Sequence, residues 1–144
     1  RVRRERLENV KFYDPISRAD IPRILASSDV AIIPLCSEIN GAVPSKIYEA
    51  MASQLPILLV ATGEPALRVS NAVAGISVAP GDIDGLCTQI RRLINSSSER
   101  AAFGTSGRRA AEDLYSREKT ARILSGFLSE AMLSPTTRTT AEKE

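Results

Sequence analysis

Short β-prone runs alternate with helical patterns along the first two thirds of this chain. Val10 to Phe12 is the first strand candidate, and after it Asp20 is placed to cap a helix in which Ile21, Ile24 and Leu25 recur at helical spacing. Val30-Ala31-Ile32-Ile33-Pro34 is a continuous apolar run, the pattern of a strand covered on both faces of a parallel sheet. A polar loop leads from it into a predicted helix from Ser45 to Ser53. Pro56 to Val60 is a second apolar run, followed by the turn residues Thr62-Gly63-Glu64 and by Pro65 in the first turn of another helix. Gly75 to Val78 is the fourth strand candidate. Pro80-Gly81-Asp82 then opens a helix expected to carry Leu86, Ile90, Leu93 and Ile94 on one face. Two terminal helices are predicted, Glu99 to Leu114 and Ser116 to Leu133. Residues 134–144, rich in Thr and charge, are expected to be a disordered tail outside a single domain of residues 1–133.

This alternation predicts an α/β fold of right-handed βαβ units: a doubly wound parallel sheet with helices on both faces. At least four parallel strands are expected, containing Phe12, Ile32, Leu58 and Ser77. Ligands of such sheets sit beyond the carboxyl ends of the strands, so the loops after Phe12, Pro34, Val60 and Val78 are where a site should lie.

Composition narrows the chemistry. With 43% hydrophobic and 25% charged residues in 144, the chain is in the globular range. The net charge of +2 is small and the arginines are scattered, among them Arg3, Arg4, Arg23, Arg91, Arg92, Arg108 and Arg109, with no aromatic residues interleaved, so no nucleic-acid partner is implied. No run approaches the roughly 20 apolar residues of a membrane helix. The absence of His removes the commonest general base and metal ligand together. Cys36 and Cys87 lack metal-site or redox spacing and are expected to be thiols in a reducing, cytoplasmic setting. The chain begins at Arg1 with no signal-peptide pattern and is expected to be a segment of a longer protein.

The informative stretch follows Pro34. A polar loop containing Gly41, Ala42 and Val43 opens through Pro44 into the helix Ser45-Lys46-Ile47-Tyr48-Glu49-Ala50-Met51-Ala52. At 100° per residue, Ile47, Ala50 and Met51 share one side and Ser45, Lys46 and Glu49 the other. A hydroxyl, an ammonium and a carboxylate therefore face outward together beside the unpaired N–H groups and positive dipole end of a helix start. That combination suits a phosphate, with Glu49 one turn further in to accept hydrogen bonds from ribose hydroxyls. The same spacing also fits an ordinary solvated Lys46–Glu49 pair, and spacing alone does not separate the two. Asp82-Ile83-Asp84 matches the letters of a D-x-D metal motif but is explained by helix capping, so no metal and no cofactor is implied. Ser106-Gly107-Arg108-Arg109 reads as solvated surface rather than an anion site, and Gly63-Glu64 as a turn.

Several segments, in order over about residues 9 to 130, resemble the nucleotide-sugar-binding part of the retaining GT-B glycosyltransferases related to bacterial polysaccharide and glycogen synthases. They are Val10-Lys11-Phe12 with Pro15, Asp29 to Pro34, Pro44 to Ala52 followed by Leu55-Pro56-Ile57, Gly75 to Asp82, and Tyr115-Ser116. The family often carries two glutamates eight residues apart here. Glu49 matches the second, the place of the first is Gly41, and Glu38 does not fit the spacing. Gln54 stands at the family's usual glycine, which suggests a slightly different turn.

The resemblance implies a Rossmann-like carboxyl-terminal half of a GT-B enzyme, transferring a sugar from a nucleotide-sugar to a polysaccharide, lipid-linked or other acceptor. It implies that Ser45, Lys46 and the amides of Gly41, Ala42 and Val43 hold the donor diphosphate, that Glu49 holds the ribose, and that backbone around Asp14, Pro15 and Ile16 carries the base. It places an acceptor domain upstream in the same polypeptide, so no catalytic residue is assignable here and the isolated segment is expected to be inactive. It also allows peripheral association of the full-length enzyme with the inner face of the membrane. Two alternatives stand beside it: a sugar-nucleotide epimerase of the same architecture, and a non-catalytic nucleotide-binding α/β module.

Overall fold

The computed structural model describes residues 7–35 and 42–133. Its elements run α1 (Ile21–Ala26), β1 (Ala31–Pro34), α2 (Ser45–Ala52), β2 (Ile57–Val60), α3 (Gly63–Asn71), β3 (Gly75–Val78), α4 (Ile83–Asn95), α5 (Ser97–Asp113) and α6 (Arg117–Leu133). The three strands form one parallel sheet in the order β1-β2-β3, with Ile32 opposite Leu58 and Leu58 opposite Ile76. The α/β class and the parallel arrangement are as the hydrophobic pattern predicts.

Alternation along β2 divides the core. Ile57 and Leu59 face one side, where Ile33 from β1, Ile47, Ala50 and Met51 from α2, Val69 from α3, Ala72 just after it and Ala110 from α5 close around them. Leu58 faces the other side and packs with Val78 and with Leu93 of α4, partly covered by Ile90 and Phe103. Helices thus lie on both faces, as a doubly wound sheet requires. A strand buried from both sides has no polar alternation to show, which is why β2 reads Ile-Leu-Leu-Val.

Helix α5 reaches the first layer because of two glycines. A Cβ at Gly104 would stand 2.3 Å from the Gln54 carbonyl oxygen, and one at Gly107 3.1 Å from the Ala74 methyl. Arg108, read from the sequence as solvated surface, also donates to the Ala52 carbonyl at 2.5 Å and so satisfies the carboxyl end of α2.

Both α2 and α3 end in the same way. Leu55 N–H bonds to the Ala50 carbonyl and Ala74 N–H to the Val69 carbonyl, each at 3.0 Å, with Gln54 (φ 58°) and Val73 (φ 48°) in the left-handed region between. This is the six-to-one closure that normally takes glycine. Gln54 therefore keeps the turn that glycine would make, and the different turn expected there is not found. Asp82 caps α4 by accepting from Gly85 N–H at 2.8 Å, which supports the capping reading of Asp82-Ile83-Asp84.

Three further expectations are corrected. Residues 10–17 form no strand, so three rather than four strands are present among the described residues, and Phe12 is 80% exposed. A three-residue run with no neighbour beside it leaves its ladder unpaired and its side chains unburied. Asp20 sits at the start of α1 but makes no side-chain capping bond, and no residue of α1 is buried. Ile94 is exposed, one step off the Leu86-Ile90-Leu93 stripe. Helix α6 forms as expected, and its residues from Arg117 to Met132 are exposed. The expected tail at 134–144 lies outside the described residues.

Candidate functional site

The chain leaves β1 at Leu35, beside the carboxyl end of the sheet, and is described again from Ala42 into the start of α2. Gly41 and Glu38 lie outside the described residues; Ala42 is exposed and Val43 half-buried. Pro44 takes the N-cap position with extended backbone (φ −66°, ψ 139°) and supplies no side-chain acceptor, and no acidic residue stands in the first turn. Among the described residues, the positive end of the α2 dipole and its first N–H groups are therefore neither capped by a side chain nor faced by an acidic residue of the first turn, a place suited to an anion.

The two faces of α2 divide as the spacing predicts. Ile47, Ala50 and Met51 are buried, whereas Ser45, Lys46 and Glu49 are exposed. Ser45 Oγ donates to Glu49 Oε1 at 3.1 Å. Among the described residues no ion pair joins Lys46 to Glu49. The hydroxyl holds the carboxylate along the outward face, and Lys46 is exposed on the same face.

Glu49 also lines a cleft of about 360 Å³. One wall is α1, through Ile21, Pro22 and Leu25; the other is the second half of α2, through Glu49, Ala52 and the following Ser53. Arg18, in the turn before α1, and Arg117, at the start of α6, complete it. Sequence reasoning missed both arginines. Arg18 carried a signal of a kind, as a cation just ahead of a helix in the loop expected to meet the base. Arg117 carried none, since only the fold brings it there. Asp14, Pro15 and Ile16 are exposed coil immediately before Arg18 and do not themselves line the cleft.

Beside Glu49 the helix is braced from within. Tyr48 packs on Tyr115 with ring centroids 4.9 Å apart and planes at 59°, and the Arg68 guanidinium lies 5.5 Å from the Tyr115 centroid while pairing with Glu64 at 2.5 Å. Tyr115 is the main cause that raises the Arg68 pKa above the ordinary arginine value, against the opposing effect of burial. This cluster ties α2, α3 and the α5–α6 junction together, so the outward face carrying Glu49 has a fixed base. Glu64 is thereby a structural partner of Arg68. Gly63 (φ 67°) lines a second cavity of about 590 Å³ with Thr62, Leu67 and Ser77 at the carboxyl ends of β2 and β3.

The sequence model of the family described as "Glycosyl transferases group 1" matches residues 1–96. The MMP alpha-(1->4)-mannosyltransferase of Mycolicibacterium hassiacum is 33% identical over 107 residues, 74% of this chain and 25% of that protein. The chain thus spans about a quarter of the length of this curated relative. Among solved structures, WaaG, a glycosyltransferase involved in lipopolysaccharide biosynthesis, superposes with a TM-score of 0.65 at 30% identity, over 82% of this chain and 32% of that one. Sucrose-phosphate synthase from Thermosynechococcus elongatus superposes with a TM-score of 0.78 at 22% identity, over 92% of this chain and 33% of the other, a likeness of fold.

Proposed function

This chain belongs to the glycosyl transferases group 1 family, and on that premise we propose that it is the nucleotide-sugar-binding part of a GT-B glycosyltransferase. The reaction is transfer of a sugar from the nucleotide to a polysaccharide, lipid-linked or other acceptor held by an upstream domain of the same polypeptide. The observation that carries this reading is the outward face of α2: an uncapped helix start, Lys46 with no carboxylate partner among the described residues, and Glu49 held by Ser45 at 3.1 Å. The helix start lies beside the carboxyl end of β1, and Glu49 follows one turn further in.

In this reading Ser45, Lys46 and the amides of Gly41, Ala42 and Val43 hold the diphosphate. As the bond from sugar to diphosphate breaks, negative charge grows on the leaving phosphate oxygens. Donors fixed in place before the reaction stabilise that charge more than they stabilise the bound substrate, and this differential is what accelerates the step. Glu49 accepts from the ribose hydroxyls, and the backbone from Asp14 to Ile16 lies against the base. No metal and no cofactor enters the proposal. The residues that align the acceptor lie outside this segment, so the segment alone binds nucleotide weakly and turns nothing over.

The family relation favours a transferase over an epimerase of the same architecture. A lipid-linked acceptor would place the enzyme in the cytoplasm at the inner face of a membrane. Among the described residues no helix is long and apolar enough to cross one. Binding measurements on the full-length protein test the site: Lys46→Ala should weaken a nucleoside diphosphate but not the corresponding nucleoside, whereas Glu49→Gln should weaken both. Loss of neither would remove α2 from the donor site.

A further inference from the structure

Strand β3 ends the sheet, and among the described residues no strand lies beyond it. Ile57 N–H bonds to the Ala74 carbonyl at 2.9 Å and Ala61 N–H to the Val78 carbonyl at 3.1 Å. Alternate residues of a parallel ladder bond to the same neighbour, so the N–H and C=O of Ser77 turn to the open edge. Beside that edge runs the cavity of about 590 Å³, between Ala66, Leu67 and Ser70 of α3 and Gly75 and Ser77 of β3. It exists because β3 sets glycine and serine where β2 sets Ile57 and Leu59. Leu59 is fully buried, whereas Ser77 beside it is exposed, and Leu67 at the rim is 56% exposed. Edge strands are commonly guarded by a lysine, a proline or a bulge. Gly75-Ile76-Ser77-Val78 has none of these, its register with β2 is unbroken, and no charged residue is among those lining the groove. The strands step outward from β1 to β3 and the chain ahead of β1 arrives through α1, so upstream segments meet the β1 side. After β3 the chain folds over the two faces, α4 against Leu58 and α5 against Met51.

We propose that β3 pairs with β3 of a second copy of this chain, antiparallel about a two-fold axis through Ser77, joining two sheets into one of six strands. The edge is self-complementary in that register. Ser77 faces Ser77 and the two exchange a pair of main-chain hydrogen bonds, Gly75 faces Ala79 on either side, and Ile76 stands opposite Val78. No like charges meet. Helix α3 lies over β2 and β3, so the same rotation brings two α3 helices alongside at about 10 Å, an ordinary helix–helix spacing, and Leu67 of each fills the groove above Gly75 and Ser77. Six main-chain bonds, at about one per 100 to 200 Å², correspond to roughly 600 to 1,200 Å² of buried surface, the lower range for specific interfaces, so the dimer is a reversible one. Each α2 start lies beside β1, two strands from the axis, so pairing leaves both donor sites open and does not depend on the nucleotide reading.

Sedimentation velocity of the full-length protein should show monomer and dimer in exchange, the dimer share rising with concentration. Ser77→Lys sets like charges against each other at the axis and should weaken the dimer by at least about tenfold. Thermal unfolding of dilute, monomeric Ser77→Lys should match the parent, since Ser77 is exposed, and this separates lost pairing from lost fold. Ser77→Cys, with Cys36 and Cys87 replaced by Ser, gives the positive arm. Hydrogen-bonded antiparallel partners stand about 5.5 Å apart at Cα, within reach of a disulfide, so mild oxidation should link two copies, whereas Ser98→Cys, exposed on α5, should not. A full-length protein that stays monomeric at every concentration overturns the inference. So does a dimer that Ser77→Lys leaves intact or that Ser77→Cys fails to link.

Discussion

Helices α2 and α6 both carry apolar residues at helical spacing, and their fates are opposite. In α2, Ile47, Ala50 and Met51 are buried at 0 to 1% exposure against the sheet. In α6, Ile123, Leu124, Phe127, Leu128 and Met132 recur just as regularly, yet all remain more than half exposed. What separates them is position. Helix α2 connects two adjacent parallel strands and must lie across their face, so its stripe has a surface waiting for it. Helix α6 follows the last strand, past α5, and no strand lies beneath it among the described residues. Amphipathicity predicts that a helix forms a stripe; topology decides what covers it.

The largest effect that would break this contrast lies in α2. Met51→Ala removes a fully buried side chain from the layer shared by α2, α5 and β2, and should destabilise the 144-residue chain by about 2 to 5 kcal/mol in denaturant unfolding. A loss below about 0.5 kcal/mol, the scale of surface substitutions, would mean that α2 is not seated as described.

That asymmetry also sets what could be read beforehand. The faces of α2 were legible because both depend on one helix's own periodicity, and β2 was legible because burial on both sides erases alternation. The strand at Val10–Phe12 was not, since three residues become a strand only if another strand lies alongside. Gln54 and Val73 hid their left-handed turns because neither is glycine. The site was half legible for the same reason: Ser45, Lys46 and Glu49 sit on one helix, whereas Arg18 and Arg117 come from opposite ends of the chain and meet only in the folded structure.

On the exposed side of α2, Glu49→Gln should weaken donor binding by the full-length protein by roughly 1 to 3 kcal/mol, the range for hydrogen bonds to a charged group. Its unliganded Tm should barely move, because the Ser45 bond it alters is solvent-exposed. The reverse pattern, intact affinity with lowered Tm, would make Glu49 a structural residue and the two faces of α2 alike in role.

Helix ends give a smaller effect of opposite sign. Val73 is β-branched, 57% exposed, and held at φ 48°. Val73→Gly removes about 1 to 2 kcal/mol of left-handed strain, offset in part by glycine's greater freedom in the unfolded chain. A net gain of roughly 0.5 to 1 kcal/mol is expected in equilibrium unfolding. Destabilisation would show that the α3 closure is not left-handed in solution.

The smallest effect is reserved for α6, and it tests the comparison directly. Phe127 is the largest side chain of the exposed stripe, and at 65% exposure its removal costs little buried area and opens no cavity. Phe127→Ser in the 144-residue chain should therefore change stability by less than about 0.5 kcal/mol, the scale of surface substitutions, although the same class of change in α2 costs several times more. The helix keeps its ladder, because one serine at an exposed mid-helix position lowers propensity by only a few tenths of a kcal/mol. Equal costs for Phe127→Ser and Met51→Ala in this chain would mean that the stripe is packed after all, and the distinction between the two helices would collapse. A cost that appears only when the substitution is made in the full-length protein would preserve the distinction, and would place the cover of α6 in residues beyond those described.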